Sequence, residues 1–206
     1  MRKQVFIAFM LLAVISVSAQ EKGKVRFGFD GGISIPNSGV GMSGDVDFRY
    51  NVQDNFNLGV RLGLSILYKD MGYLDNQNME FTTGMYTNFL VHGAYYFAKE
   101  NTNFAPFVDA GLGSFSLLNL YTVTDGTQTE FTLNSIPSFD KKFGGMISAG
   151  FEVWKFRLAA EYYIIPVSRR FNVMTESFDS FSKNSFFNLS LGFYFGGGSW
   201  KKKLQK

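Results

Sequence analysis

The stretch Phe187-Asn-Leu-Ser-Leu-Gly-Phe-Tyr-Phe195 alternates large apolar residues with small or polar ones. Because successive side chains of a β-strand point to opposite faces, this period of two gives a strand with one apolar face and one small, polar face. The same alternation recurs from Val25 to Ile35 and in further segments along the chain. The sequence therefore predicts an all-β protein built from similar, two-faced strands.

Eight segments follow this pattern, and the connections between them alternate in length. We predict strands at residues 24–35, 40–50, 56–68, 79–97, 104–119, 142–154, 156–166 and 184–195. The connections at 51–55, 98–103 and 154–155 are short, whereas those at 69–78, 120–141 and 167–183 are long. Short periplasmic turns and long external loops are typical of transmembrane barrels. We predict an eight-stranded antiparallel up-and-down transmembrane β-barrel.

The chain of 206 residues divides into three predicted parts. Residues 1–19 have the pattern of a cleaved signal peptide, with Arg2 and Lys3 before a short apolar stretch and a small residue, Ala19, at its end. That stretch is shorter than the ~20 apolar residues of a membrane-spanning helix. Residues 20–195 form the barrel domain, and residues 196–206 form a basic periplasmic tail.

The composition excludes several classes of function. The formal net charge of +3 is an effect of the two ends, because Lys201, Lys202, Lys203 and Lys206 lie in the tail, and we expect no nucleic-acid partner. The chain has no cysteine, so it forms no disulfide. Its contents of phenylalanine (24 residues) and glycine (22 residues) are high for a soluble domain of this size.

A soluble ligand-binding barrel is the main structural alternative. It would place the apolar phase inside, around a ligand, and the charged phase outside. The apolar phase is rich in large aromatic residues, which would overfill the interior of eight strands. We therefore expect the apolar phase to face lipid.

The charged residues of the other phase are expected to pair inside the barrel. Counting outward from the short turns predicts three lumenal pairs, Asp45 with Arg61, Glu152 with Arg157, and His92 with Asp109. Opposite charges on one face of two antiparallel strands stabilise their pairing, and buried charges require such partners. Because side chains can fill the interior of eight strands, we predict a plugged lumen instead of an open pore.

Two long loops carry candidate binding residues. The loop at 120–141 is rich in threonine around an Asp-Gly hairpin signal, which predicts a projecting ribbon with free strand edges for a protein partner. A stiffened loop without a partner is the alternative. The ribbon candidates are Tyr121, Val123, Asp125, Gly126, Glu130 and Phe131. In the loop at 167–183, Arg169 and Arg170 are candidate contacts for lipopolysaccharide phosphates.

Three features together resemble a known group of proteins. They are the signal segment, the sequence Phe104-Ala-Pro-Phe-Val-Asp-Ala-Gly-Leu-Gly113 after a periplasmic turn, and the closing stretch that ends at Phe195. These look like the small outer-membrane β-barrel proteins, such as OmpX, the OmpA barrel domain and the Bacteroidetes-type PorT-like barrel domain. The resemblance implies an integral protein of the Gram-negative outer membrane. It implies no single activity, because such barrels include adhesins, structural proteins, secretion components and a few enzymes.

We expect no catalytic, metal or cofactor site. His92 is the only histidine, and its same-face neighbours on the predicted strand are Leu90 and Ala94, so no serine stands beside it as a nucleophile. Ligands for a metal ion are lacking, because the chain has one histidine and no cysteine, and its carboxylates are mostly placed opposite arginines.

The predicted function is non-enzymatic. We expect a monomer in contact with outer-membrane lipid and lipopolysaccharide, acting structurally or through its external loops in surface or partner binding. One alternative is an accessory barrel subunit of a secretion or uptake assembly, which would meet its protein partner through the loops or the tail. Two further alternatives are a small-solute channel and a lipid-modifying enzyme that uses His92.

Overall fold

Ten β-strands follow one another in the computed structural model, which describes residues 21–37, 39–74, 78–97, 104–123, 138–172 and 177–197. They are β1 (Val25–Pro36), β2 (Gly41–Gln53), β3 (Phe56–Leu74), β4 (Asn78–Tyr96), β5 (Phe104–Val123), β6 (Ser138–Val153), β7 (Phe156–Ile164), β8 (Ser168–Asn172), β9 (Ser177–Ser182) and β10 (Phe186–Gly196). Within those ranges, no helix is long and apolar enough to cross a membrane.

Eight of these strands close into one antiparallel barrel. The order around the barrel is β1, β10, β7, β6, β5, β4, β3 and β2. The first and last strands pair with each other, with Phe27 opposite Phe195 and Ile33 opposite Leu189. Closure removes the exposed strand edges that an open sheet would leave. The predicted fold class is therefore confirmed.

The apolar phase of the strands faces outward, as predicted. Met42, Leu62, Leu112, Phe143 and Leu191 are each between 56 and 69% exposed and belong to five different strands. An aromatic group surrounds the end of the barrel that carries the short turns, here called the turn end. Its members include Tyr95, Phe97, Phe104, Trp154 and Phe156. This arrangement is opposite to the one expected of a soluble ligand-binding barrel.

Three strands continue past the opposite end, here called the loop end. The pairing of β2 with β3 stops at Gly41 and Leu67, but β3 and β4 pair as far as Leu74 and Asn78. The pairing of β4 with β5 likewise continues to Val123. The predicted loops at 69–78 and 120–141 are thus wrong at their bounds, because the β3–β4 and β4–β5 ladders continue into them.

The predicted loop at 167–183 contains the small hairpin of β8 and β9, which lies outside the barrel sheet. Its base is fixed to the barrel rim by Asn184, which is fully buried. The Asn184 amide donates to the carbonyl of Pro166 at 2.7 Å and to Ser168 Oγ at 2.9 Å. The Tyr86 hydroxyl donates to Asn184 Oδ1 at 3.0 Å, so the hairpin base is bonded to β4.

Some predicted features lie outside the described residues. These are the signal peptide at 1–19, the tail after Gly197, and the part of the ribbon at 124–137. The boundaries of the three predicted parts therefore stay predictions.

Candidate functional site

The inner face of the barrel carries a group of buried charges, here called the lumenal network. Six carboxylates and four guanidinium groups are at most 5% exposed: Asp30, Asp45, Asp47, Asp109, Glu152, Glu161, Arg26, Arg49, Arg61 and Arg157. Each belongs to the small, polar phase of its strand, so strand alternation directs it inward. Because buried charges need partners, their pairing determines what the lumen can do.

Asp47 on β2 is one centre of this network. Its Oδ2 lies 2.6 Å from Arg49 Nη2 and 2.9 Å from Arg61 Nη2, and it accepts a hydrogen bond from the Tyr194 hydroxyl. Its Oδ1 accepts a second bond from Arg61 Nε at 3.2 Å. Arg61 therefore binds Asp47 through two parallel hydrogen bonds, a geometry that only guanidinium offers.

His92 lies between two carboxylates. Its Nδ1 is 3.0 Å from Asp109 Oδ1, and its Nε2 is 3.0 Å from Asp47 Oδ1. Asp109 Oδ2 is in turn 3.2 Å from Arg49 Nη2 and 3.2 Å from Arg157 Nη2. Both ring nitrogens thus face acids, and neither is directed at a hydroxyl or thiol that it could activate as a base.

Two glutamates extend the network across the lumen. Glu152 on β6 binds Arg26 on β1 at 2.7 Å and accepts a hydrogen bond from the Tyr96 hydroxyl at 2.7 Å. Glu161 on β7 binds Arg61 on β3 at 2.9 Å. These pairs join strands that are not neighbours in the barrel, so the network ties opposite walls together.

Glycines on the inner face give the long side chains room. Arg49, Gly59 and His92 lie in one row across β2, β3 and β4. A Cβ atom on Gly59 would lie 2.8 Å from Arg49 Cγ and 3.0 Å from His92 Nε2. On β1, a Cβ atom on Gly28 would collide with the ring of Tyr194. Glycine in these strands is therefore a packing requirement of the lumen.

The tight turn at Trp154 and Lys155 sets the register of β6 and β7. Glu152 and Arg157 are Cα partners there, as the sequence predicts. The carboxylate of Glu152 nevertheless binds Arg26, and Arg157 Nη2 binds Asp109. Cross-strand position and ion pairing are thus separate properties inside this barrel.

The predicted registers of the other two hairpins are wrong by two residues. Asp45 lies opposite Gly63, and Asp47 takes the position opposite Arg61. The strands of that hairpin pair into the predicted loop at 51–55, with Gln53 opposite Phe56, and a one-residue bulge between Asn51 and Gln53 then brings the inward phases of the two strands into line. His92 lies opposite Gly111, but its ring reaches Asp109 two residues away on β5.

An apolar group lies in the lumen from its middle to the loop end, and the residue pattern described above did not predict it. Its members are Leu67, Tyr86, Leu90, Phe115, Leu117, Met146, Tyr163, Ile165 and Phe186. Tyr163 and Phe186 stack with ring centroids 4.6 Å apart. The sequence contains a signal for this group, because its residues alternate in the same inward phase as the charges and lie nearer the long loops.

The candidate external residues are only partly within the described residues. Tyr121 and Val123 belong to β5, and Arg169 and Arg170 belong to β8. The remaining ribbon candidates, Asp125, Gly126, Glu130 and Phe131, lie outside the described residues. The structure therefore leaves the partner and lipopolysaccharide contacts as predictions.

The described part of the chain contains no cluster of metal-ligating side chains. Across 21–37, 39–74, 78–97, 104–123, 138–172 and 177–197, no three histidine, cysteine, aspartate or glutamate side chains are grouped to hold a metal ion. The acids of the lumenal network mostly face arginines instead.

Comparison with known proteins finds similar architectures among solved structures. No protein-family model and no curated protein sequence matches this chain. The N-terminal β-barrel domain of Pseudomonas aeruginosa OprF is 16% identical over 86% of this chain and 99% of that one, with a TM-score of 0.44. Neisserial surface protein A is 13% identical over 84% of this chain and 96% of that one, with a TM-score of 0.49.

A third similar structure is Ail, the attachment invasion locus protein of Yersinia pestis, solved in complex with the heparin analogue sucrose octasulfate. It is 11% identical over 85% of this chain and 100% of that one, with a TM-score of 0.42. At these identities the likeness concerns the fold alone.

Proposed function

We propose that this chain is a non-enzymatic integral barrel of the Gram-negative outer membrane, with a lumen plugged by its own side chains. It acts structurally or through its external segments in surface or partner binding. The observation that carries the proposal is the division of the two faces, apolar residues outside and paired charges inside.

The outer face supports a lipid environment. Leu62, Leu112, Phe143 and Leu191 expose more than half of their surface without any protein contact to cover it. A continuous apolar surface of this kind is costly in water and is covered by hydrocarbon in a membrane. The aromatic group at the turn end, with Tyr95 and Trp154, has the amphipathic rings that favour the membrane interface.

The inner face supports a closed lumen. The guanidinium groups of Arg49, Arg61 and Arg157 are fully buried, and each lies within 3.2 Å of a carboxylate oxygen. The apolar group at the loop end occupies the same lumen above them. Side chains that bind each other across the barrel leave little reason to expect a passage for solutes.

The extended strands support a role in binding outside the membrane. Beyond Asn119 the structure pairs β5 with β4 alone, and beyond Tyr68 it pairs β3 with β4 alone. Within the described residues, the backbone at Leu120–Val123 therefore has an edge that no barrel strand covers. Such an edge can accept an added strand from a protein partner.

The location is tested by cell fractionation and gel migration. We expect the protein in the outer-membrane fraction, with faster migration in unheated detergent samples than in boiled ones, because a closed barrel stays compact until heated. A soluble periplasmic distribution would contradict the proposal.

The partner role is tested by site-specific crosslinking, which the absence of cysteine makes simple. A single cysteine is introduced by Thr122→Cys at the β5 edge, or by Lys155→Cys at the turn end as the control. A protein partner at the edge predicts a discrete adduct through position 122 and none through position 155. A clean monomer in both variants would favour a free-standing structural barrel and count against an assembly subunit.

A further inference from the structure

Hydrogen bonds fix the point where the chain leaves β10 at the turn end. Gly197 donates its backbone N–H to the carbonyl of Val25 at 3.0 Å. The carbonyl of Gly197 accepts a bond from Asn51 Nδ2 at 2.9 Å, and Asn51 is fully buried. The same carbonyl also accepts a bond from the backbone N–H of Glu21. The chain beyond Gly197 therefore starts from a defined place on the barrel wall.

An exposed indole and two lysines surround this place. The backbone N–H of Tyr194 donates to the carbonyl of Lys155 at 2.8 Å, so the turn between β6 and β7 lies beside the end of β10. Trp154 in that turn is 65% exposed. On the other side, Val25 belongs to the outward face of β1, and Lys24 just before it is exposed. In a barrel that spans the membrane, as proposed above, this is the level of the lipid headgroups.

The sequence beyond Gly197 continues the same chemistry. Residues 198–206 lie outside the described residues and read Gly-Ser-Trp-Lys-Lys-Lys-Leu-Gln-Lys, with four lysines and no acid. Trp200 is three residues from Gly197, so their Cα atoms are at most about 11 Å apart. Three consecutive lysines follow Trp200 directly. A tryptophan beside a run of ammonium groups, held this close to the membrane, matches a negatively charged lipid surface.

We propose that residues 200–203 bind the phosphate groups of anionic phospholipids around the turn end. The indole of Trp200 enters the headgroup region, and the three lysines after it are attracted by the negative potential of the surface. Because Gly197 is fixed to the barrel wall, the segment meets this surface at a high effective concentration, so individually weak contacts are sufficient. The proposal rests on the membrane-spanning barrel and adds a lipid partner at its turn end.

The test follows the fluorescence of Trp200 in the full mature chain. The chain has two tryptophans, and Trp154→Phe removes the other one while it keeps an aromatic ring in the turn. The barrel is refolded into phosphatidylcholine vesicles with and without phosphatidylglycerol. With phosphatidylglycerol we expect emission at shorter wavelength and about twofold stronger quenching by lipids with brominated acyl chains, because the surface charge holds the segment there. Added salt should reverse both effects, because it screens exposed charges.

A charge variant and a matched control make the test specific. The variant combines Lys201→Gln, Lys202→Gln and Lys203→Gln, and it should abolish the difference between the two kinds of vesicle. The control carries the same change at three lysines of the loop end: Lys141, Lys142 and Lys183. The fluorescence of Trp200 in the control should equal that of the chain with all its lysines, because the lost charges lie at the opposite end of the barrel.

Three results would overturn the proposal. Emission of Trp200 as in water in both kinds of vesicle would place the segment in solvent. An equal shift in both kinds would mean that the indole inserts by itself and that the lysines recognise no charge. A discrete protein adduct through Ser199→Cys in intact cells would assign the segment to a protein partner. The barrel proposal is tested separately, because the gel migration of the same refolded samples does not depend on residues 200–203.

Discussion

Arg61 shows how single residues organise the interior of this barrel. It extends from β3 and binds Asp47 on β2 and Glu161 on β7, which lies on a different part of the wall. Its Nη1 atom also lies 3.4 Å from the hydroxyl of Tyr163. One guanidinium group thus holds two acids, and within the described residues it is the ion-pair partner of Glu161, whereas Asp47 also has Arg49.

Removing this group should destabilise the barrel strongly. We expect Arg61→Ala to lower the free energy of unfolding by about 3–5 kcal/mol, because breaking a buried ion pair leaves uncompensated charges. Urea titration in phospholipid vesicles, followed by tryptophan fluorescence, measures this change in the free energy of unfolding. The control is Lys142→Ala, because the Lys142–Asp140 pair is partly exposed and should contribute about 1 kcal/mol or less. A similar loss in both variants would contradict the argument.

The strands act as elements with two independent faces. On β3, Leu58, Leu62 and Leu64 point outward, and Arg61 and Ser65 point inward. A substitution on one face should therefore report the environment of that face alone. The depth of an outward residue in the membrane then becomes measurable by its tolerance of charge.

Outward substitutions to arginine should show a depth profile. Leu62, near the middle of the outward apolar surface of β3, is 56% exposed, whereas Val153 lies beside the turn at Trp154. We expect Leu62→Arg to cost about 2–4 kcal/mol and Val153→Arg about 0–1 kcal/mol, since the cost of a charge falls from the bilayer centre to the interface. Reversible unfolding in vesicles measures both. Equal costs would mean that this surface does not face hydrocarbon.

The molecule as a whole combines an outer surface with two groups of side chains in the lumen. An outward apolar surface encloses the lumenal network, and the apolar group of the lumen lies toward the loop end. Outside this body, the β8–β9 hairpin is bonded to the rim through Asn184. With the closed lumen that we propose, the external segments are the place where binding specificity can reside.

Conductance across a planar bilayer tests the proposed closed lumen. We expect the purified barrel to give no discrete conductance steps, because its lumen is filled by ion pairs and by the stacked rings of Tyr163 and Phe186. A large porin in the same bilayer serves as the positive control. Regular steps that disappear after addition of antibody to the external side would favour the channel alternative.

Strand alternation was sufficient to predict the barrel but not its ion pairs. The outward positions of Phe143 and Leu191 follow from their phase alone. By contrast, pairing that continues into the predicted loop as far as Gln53 and Phe56, together with the bulge at Asn51 to Gln53, moves Asp47 into the position that the simple count gives to Asp45. That error of two residues keeps the correct face, because a shift of two preserves the side-chain period. The shift does change which residue lies opposite each acid: Arg61 faces Asp47, and Asp45 faces Gly63. Neither carboxylate oxygen of Asp45 has a hydrogen-bond partner among the described residues.

By itself, the sequence determined the number of barrel strands, the face that each residue occupies and the antiparallel order, because these follow from a local period of two and from connection lengths. Only the tertiary structure decided that Arg26 binds Glu152, at a sequence separation of 126 residues, and that Glu161 binds Arg61. Those contacts cross the lumen, so they depend on how the barrel closes and on the exact register of every hairpin. Long side chains can reach several acids in so narrow a space, and their final partners are a property of the closed barrel.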